Sequence, residues 1–204
     1  MTAPETAGGE DARSSSFLEA LDGGAERVVG RWRGRRGADL LFYGASAAGE
    51  FSLVWIALAL WRGWRRAPRD VAAARRAVVA AVVESLAVNG ALKALIRRER
   101  PVAPVHHPLP FRQPLTSSFP SGHASAAFCA ATLLAEGERA APGYYALAAV
   151  VATSRLYVRI HHASDVLGGA LIGLAVGRAV RRLAPLDARR GRRRTGTRAG
   201  APNP

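Results

Sequence analysis

Residues 40–61 form an apolar run of 22 residues that contains a single charged side chain, Glu50. About 20 apolar residues in a helix are enough to cross the hydrocarbon core of a bilayer. Trp55 and Trp61 lie in the half of this run that leads into a cluster of arginines, as interfacial anchors do. The run therefore predicts a helix that spans a membrane.

Four further apolar stretches follow, and they cover residues 77–96, 120–135, 143–160 and 163–184. Apolar runs of about 10–14 residues can also be buried core helices, but the two strongest stretches already commit the chain to lipid. The last stretch is rich in glycine, which suits close helix packing in a membrane; the residues are Gly168, Gly169, Gly173 and Gly177. No strand-like alternation or repeat is visible. We therefore expect an all-α, polytopic membrane helix bundle with about five transmembrane helices.

Both ends of the chain differ from this apolar middle. Of the 29 Lys and Arg residues, 28 are Arg, and 12 of these fall within residues 1–37 and 185–204. We expect residues 1–14 to be disordered and residues 15–37 to form an interfacial amphipathic helix, broken at Gly23 and Gly24. Residues 38–184 form the membrane domain, and residues 185–204 a basic disordered tail that is solvated or contacts lipid headgroups. Basic and aromatic residues do not interleave on one folded face, so nucleic-acid binding is not expected.

Residues whose side chains could take part in catalysis or ligand binding lie in three clusters, each beside a break in the apolar pattern. In the first, Lys93, Arg97 and Arg100 are spaced i, i+4, i+7 and share a helical face if the helix continues that far. Pro101 disfavours helix at Arg100. The alternative is a basic helix end whose side chains extend to the membrane surface.

The second cluster is Pro120-Ser121-Gly122-His123, which opens an apolar helix. Proline suits a first turn, and glycine lets a ligand approach the backbone. The unpaired amides of a helix start attract anions, while Ser121 adds a hydroxyl donor and His123 a proton donor. The alternative is a structural helix start with a histidine that faces solvent.

The third cluster contains Arg155, His161 and Asp165. His161 and Asp165 are one helical turn apart. A carboxylate near one ring nitrogen fixes the tautomer and leaves the other nitrogen as a base or nucleophile. His162 is a second choice, because a shift of one residue breaks this spacing.

If the five stretches span the membrane in turn, all three clusters reach the same side. Three cations, Lys93, Arg100 and Arg155, would then meet two histidines and an amide-rich helix start. Such a set predicts a phosphate site with a nucleophile and an acid.

These residues resemble the three signature motifs of the type 2 phosphatidic acid phosphatase superfamily. The matching motifs are Lys93-x6-Arg100-Pro101, Pro120-Ser121-Gly122-His123 and Ser154-Arg155-x5-His161-x3-Asp165. The resemblance covers residues 40–184. It implies that His161 is a nucleophile forming a phosphohistidine, that Asp165 orients it, and that His123 protonates the leaving alcohol. The residues that it implies for holding the phosphoryl oxygens are Lys93, Arg100, Ser121, Gly122 and Arg155.

The resemblance implies an integral membrane lipid phosphatase that needs no metal or other cofactor. Its substrate would be a polyprenyl or glycerolipid phosphate or diphosphate, or a prenyl-linked sugar phosphate of cell-wall precursor synthesis. One alternative is an enzyme like the vanadium haloperoxidases, which share this pocket; another is a non-catalytic lipid-binding scaffold.

Orientation in the membrane follows from the arginines on the face opposite the clusters, including Arg62, Arg65 and Arg66. The positive-inside rule places that face in the cytoplasm of a plasma-membrane protein, and the site outside. The basic stretch 27–36 argues for the reverse. Glu50, Glu84 and Asn89 fall within the predicted spans, where they either pair structurally or line a substrate passage.

Overall fold

The computed structural model describes residues 7–101 and 116–186, and within these ranges the regular secondary structure is helical. The helices are α1 (Ala7–Gly30), α2 (Arg36–Gly49), α3 (Leu53–Trp64), α4 (Pro68–Leu95), α5 (Gly122–Leu134), α6 (Ala141–Tyr157) and α7 (Ala163–Leu183). The all-α prediction is confirmed for this part of the chain.

Two of the described helices, α4 and α7, are long and apolar enough to cross a bilayer. Helices α2 and α3 would add a third span if they are counted together, but the chain bends by 72° between them. The bend falls at Glu50–Ser52, where Ser52 has a left-handed φ of 59°. The run 40–61 is therefore not the single straight helix that its hydropathy predicts. Helix α5 has only 13 residues and α6 has 17, so the count of five spans stays a prediction.

Helix starts in the second half of the chain follow from local sequence. Pro142 occupies the first turn of α6, where its missing N–H is not needed. Ser121 caps α5, because its Oγ accepts from the backbone N of Ala124 at 3.4 Å. Asp165 caps α7 by accepting from the backbone N of His162 at 2.8 Å. Two of these caps are motif residues, so the site and the helix starts are built from the same side chains.

Helix α5 is the centre of the bundle, and ten of its thirteen residues are buried. It packs most closely against α7. A Cβ added at Gly169 or Gly173 would overlap the backbone oxygen of Ser121 or Ser125. The predicted close packing by glycine is confirmed at these two positions, and it fixes the start of α7 beside the start of α5.

The N-terminal region differs from the sequence prediction. Helix α1 begins at Ala7, inside the segment expected to be disordered, and runs through Gly23 and Gly24 without a break. Alanine, glutamate and serine are tolerated well enough in helices to extend it, and its second half packs against α6 and α7. Residues 1–6, 102–115 and 187–204 lie outside the described residues, including most of the predicted basic tail.

Candidate active site

The first cluster does not form one helical face. Helix α4 ends at Leu95, and Ile96 is already extended with φ −109° and ψ 108°. The helix therefore does not continue far enough for Lys93, Arg97 and Arg100 to share a face, and Arg97 is exposed. Lys93 is buried in the last turn of α4, whereas Arg100 approaches from the extended segment that Pro101 favours.

Arg100 lies directly against His161. Its Nη1 donates to the backbone oxygen of Ile160 at 2.8 Å and lies 3.3 Å from Nε2 of His161. Its Nη2 donates to the backbone oxygen of Ser117 at 3.1 Å. Two carbonyls thus hold the guanidinium beside the outward-facing ring nitrogen of His161.

The His161 side chain is only 3% exposed, and its Nδ1 lies 3.7 Å from Oδ2 of Asp165. Burial lowers the pKa of His161 to about 3, and the charges of Arg100 and Arg155 add to this effect while Asp165 opposes it. The imidazole is therefore neutral near pH 7. With the proton on Nδ1, facing the carboxylate, Nε2 has its lone pair available beside Arg100.

Asp165 is fully buried and is held by more groups than the sequence indicated. Its Oδ2 accepts from Oγ of Ser118 in addition to the backbone N of His162. Its Oδ1 accepts from Nη1 of Arg98 at 2.5 Å. Sequence reasoning missed Arg98 and Ser118, because each lies two residues from a motif position and only the tertiary fold turns it toward Asp165.

The start of α5 lies next to the start of α7. The backbone N of Ser121 donates to the backbone oxygen of Asp165 at 3.0 Å. A Cβ added at Gly122 would lie 2.5 Å from Oδ1 of Asn89. The start of α5 thus lies against Asn89 of α4 on one side and against the first turn of α7 on the other.

His123 and Arg155 share one carboxylate. Oε1 of Glu50 lies 3.5 Å from Nε2 of His123 and 3.5 Å from Nη2 of Arg155. Nη1 of Arg155 also donates to Oγ of Ser46 at 2.6 Å, and the Arg155 side chain is 1% exposed. Glu50, at the bend between α2 and α3, therefore pairs with two of the candidate site residues.

Lys93 and Arg100 line a cavity of about 890 Å³ together with Thr116 and Ser117. Its polar lining consists of ammonium, guanidinium and hydroxyl donors, which suit an oxyanion, and of one carboxylate, that of Glu99. Among residues 7–101 and 116–186, no group of three or more His, Cys, Asp or Glu side chains could hold a metal ion. Nδ1 of His162 lies 4.0 Å from Oδ2 of Asp22 in α1.

Comparison with known proteins gives both a family and relatives. The family model described as the PAP2 superfamily matches residues 73–188, which include all three clusters. A curated relative is the decaprenylphosphoryl-5-phosphoribose phosphatase of Mycobacterium tuberculosis, found in two strains. It is 33% identical over 140 residues, which are 67% of this chain and 75% of the relative.

Two solved structures share the fold. Aquifex aeolicus LpxE superposes with a TM-score of 0.61 at 26% identity, over 77% of this chain and 92% of that one. The transmembrane PAP2-type phosphatidylglycerolphosphate phosphatase of Bacillus subtilis gives a TM-score of 0.60 at 22% identity, over 92% of this chain and 90% of that one. At that identity the second likeness concerns the fold alone.

Proposed function

The chain belongs to the PAP2 superfamily, as its three motifs predict, and on this premise we propose that it is an integral membrane phosphatase acting on a lipid phosphate through a phosphohistidine. The observation that carries the proposal is the environment of His161. Asp165 lies on the Nδ1 side of its neutral ring, and Arg100 lies on the Nε2 side. Asp165 would thus orient the nucleophilic ring from its Nδ1 side, and Arg100 would hold the phosphoryl group on its Nε2 side.

In the first chemical step, Nε2 of His161 attacks phosphorus while the bond from phosphorus to the lipid oxygen breaks. His123 gives its proton to the departing oxygen, so that an alcohol leaves rather than an alkoxide. Oε1 of Glu50 lies 3.5 Å from Nε2 of His123 and would orient that ring for the transfer. The proton on Nδ1 of His161 stays between that ring and Asp165, and the carboxylate of Asp165 offsets the positive charge that develops on the imidazole.

In the second step, water attacks the phosphohistidine. His123, now neutral, takes a proton from the water as the oxygen–phosphorus bond forms and the nitrogen–phosphorus bond breaks. Inorganic phosphate leaves, and both histidines return to their starting protonation states. The covalent intermediate divides one difficult hydrolysis into two easier displacements.

The protein's own cations would stabilise the charge on the phosphoryl oxygens. Lys93, Arg100 and Arg155 supply positive charge, Ser121 supplies its hydroxyl, and Gly122 supplies a backbone N–H of the α5 start. Fixed donors of this kind typically contribute about 10²- to 10³-fold each to the rate. We propose on this basis that no metal ion takes part.

Prenyl-linked sugar phosphates are our first choice of substrate, because the curated relative is a decaprenylphosphoryl-5-phosphoribose phosphatase. The cavity beside Lys93 and Arg100 has room for a polar head group. The site lies at helix ends, so a phosphate there would sit near the level of the lipid headgroups. The prenyl chain would extend along the apolar helices.

We also propose five spans, with α5 and α6 crossing as short helices, and a site on the extracytoplasmic side. The end of the bundle opposite the site holds many arginines, and cytoplasmic loops are enriched in such residues. The members of this set are Arg62, Arg65, Arg66, Arg69, Arg75, Arg76, Arg178, Arg181 and Arg182. Reaction of single cysteines placed at Arg66 and Arg97 with an impermeant reagent, in intact cells, tests the orientation. Labelling of only the Arg66 variant would reverse it.

The function is tested by phosphate release from purified protein in detergent, with prenyl-linked sugar phosphates, polyprenyl phosphates and glycerolipid phosphates as substrates. We expect turnover that survives EDTA and is inhibited by vanadate, which resembles the transferring phosphoryl group. A long-chain substrate should have the lower KM, because each buried methylene contributes roughly 0.8 kcal/mol. Activity lost in chelator and restored by a divalent ion would contradict the metal-free mechanism. Halide oxidation with added vanadate, in place of phosphate release, would favour the haloperoxidase reading.

A further inference from the structure

Asp22, on the N-terminal helix α1, is bonded to the same side chains that surround Asp165. Its Oδ1 accepts from the backbone N of Ser164 at 2.8 Å and from Oγ of Ser164 at 2.8 Å. Its Oδ2 accepts from Nη2 of Arg98 at 2.7 Å. The Asp22 side chain is 12% exposed, so these bonds are largely shielded from water.

Arg98 connects Asp22 to the site. Its Nη2 is bonded to Asp22, while its Nη1 donates to Oδ1 of Asp165 and, at 2.7 Å, to Oγ of Ser164. Asp165 in turn lies behind Nδ1 of His161. A continuous series of charge-assisted contacts therefore runs from α1 to the ring of His161.

We propose that Asp22 is a positioning residue, which fixes Arg98 and through it the carboxylate of Asp165 behind His161. The inference rests on the proposed function, since it gives that mechanism a further member. It makes α1 a part of the catalytic unit rather than only an attachment to the membrane surface.

Geometry explains why Asp165 would need this support. An arginine with a single carboxylate partner can pivot on its long side chain, whereas one with a partner on each terminal nitrogen is held in one plane. Asp22 also restrains Ser164, which lies at the start of α7 next to Asp165. Charged groups placed in this way are worth more in a buried site than at a surface.

A second reading gives Asp22 only a structural role, because it caps the start of α7 by accepting from the backbone N of Ser164. In that case its loss would lower the stability of the protein but leave the chemical step of the folded fraction unchanged. Measurements of kcat and of the tautomer of the His161 ring therefore distinguish the two readings.

The activity test compares wild type with Asp22→Asn, Asp22→Glu and a matched control, Glu19→Gln. Glu19 is exposed and lies three residues earlier on α1. For Asp22→Asn we expect kcat to fall by roughly 10- to 100-fold with little change in KM, because small displacements of oriented groups have effects of this size. Asp22→Glu should recover part of the loss, and Glu19→Gln should match wild type. The double variant with Arg98→Gln should be no slower than Arg98→Gln alone, since both act through one contact.

A spectroscopic test does not depend on turnover. In ¹⁵N-histidine-labelled protein in detergent, the His161 signals are assigned by their loss in His161→Asn. We expect wild type and Glu19→Gln to show the Nδ1–H tautomer, and Asp22→Asn to show a shifted or mixed signal.

Unchanged His161 signals in folded Asp22→Asn would overturn the inference, and so would an unchanged kcat. If wild type releases no phosphate from any substrate, the proposed function fails, yet the histidine spectrum still decides the role of Asp22.

Discussion

The two ends of the helix bundle use buried arginine in opposite ways. At the arginine end, defined by Arg62, Arg65 and Arg76, the cations are matched by carboxylates. Arg62 is 1% exposed, and it pairs with Asp70 at 3.0 Å and Glu138 at 3.4 Å. It also donates to the backbone oxygens of Leu134, the last residue of α5, and of Glu136, which lies just beyond it. Arg76 pairs with Glu136.

At the site end, defined by Lys93, Arg100 and Arg155, the donors mostly meet neutral oxygens. Arg100 contacts backbone carbonyls and an uncharged imidazole, and Arg155 contacts a serine and a carboxylate that is 3.5 Å away. A cation that is paired with carboxylates stabilises a structure, whereas a cation held by neutral groups can attract an anion. We therefore propose that the same residue type serves stability at one end and phosphate binding at the other.

Replacing His161 should have the largest effect on the rate of phosphate release. We expect no substitution at the arginine end to lower that rate as much. We expect His161→Ala to abolish phosphate release, because no other described side chain occupies the position between Asp165 and Arg100. Asp165→Asn should keep a small residual rate, since it removes orientation but leaves the nucleophile. Initial rates on the best lipid phosphate, with folding checked by gel filtration, measure both. A near wild-type rate for His161→Ala would move the nucleophile to His162.

Arginine-to-glutamine changes at the two ends should give opposite results. Arg100→Gln should lower kcat/KM by about 10²- to 10³-fold with little change in thermal stability. Arg62→Gln leaves buried acceptors without a donor and should lower the free energy of unfolding by about 3–5 kcal/mol.

The remaining folded Arg62→Gln protein should keep a kcat close to wild type. Melting curves measure the thermal stability of both variants, and steady-state kinetics measure their kcat and KM. If Arg62→Gln lost activity without losing stability, the division of labour between the ends would be wrong.

Sequence reasoning identified both ends but not how each is assembled. Apolar run length and the three motifs predicted the helices α5 to α7 closely, because both signals are local, whereas α4 begins at Pro68, nine residues before the predicted start at residue 77. Beyond the end of α4 at Leu95, Arg98 rather than Arg97 reaches Asp165, and its other partners are Asp22 of α1 and Ser164 of α7. The link to Asp22 joins residues 76 positions apart. No spacing rule reaches that far, so such contacts could be read only from the fold.

Glu50 is the carboxylate that faces His123 at the site end, and removing its charge should have a moderate effect. Glu50→Gln should lower kcat on an alkyl lipid phosphate by roughly tenfold, a part of what a general acid contributes. An aryl phosphate such as p-nitrophenyl phosphate has a leaving group that needs no proton, so its rate should fall less. Rates for both substrates with Glu50→Gln and His123→Gln measure this difference. Equal losses on the two substrates would exclude His123 as the acid.

Acid should lower the stability of the protein through the site end rather than through the arginine end, because the three histidines among the described residues all lie at the site end. The pKa of His161 is lowered from 6.5 to about 3 in the folded protein, mainly by burial. Between these values the unfolded chain binds a proton that the folded chain does not, so stability falls as the pH drops below 6.5 and is unaffected above it. At pH 5 the loss is at most about 2 kcal/mol, or about 4–8 °C in Tm for a chain of this length.

His161→Asn lacks this proton, and its Tm should therefore fall less than that of wild type between pH 7.5 and pH 5. Arg62→Gln should keep the wild-type pH dependence at a lower Tm, because it leaves His161 in place. Equal acid sensitivity of wild type and His161→Asn, measured by thermal unfolding in one detergent, would show that His161 is not held neutral by burial.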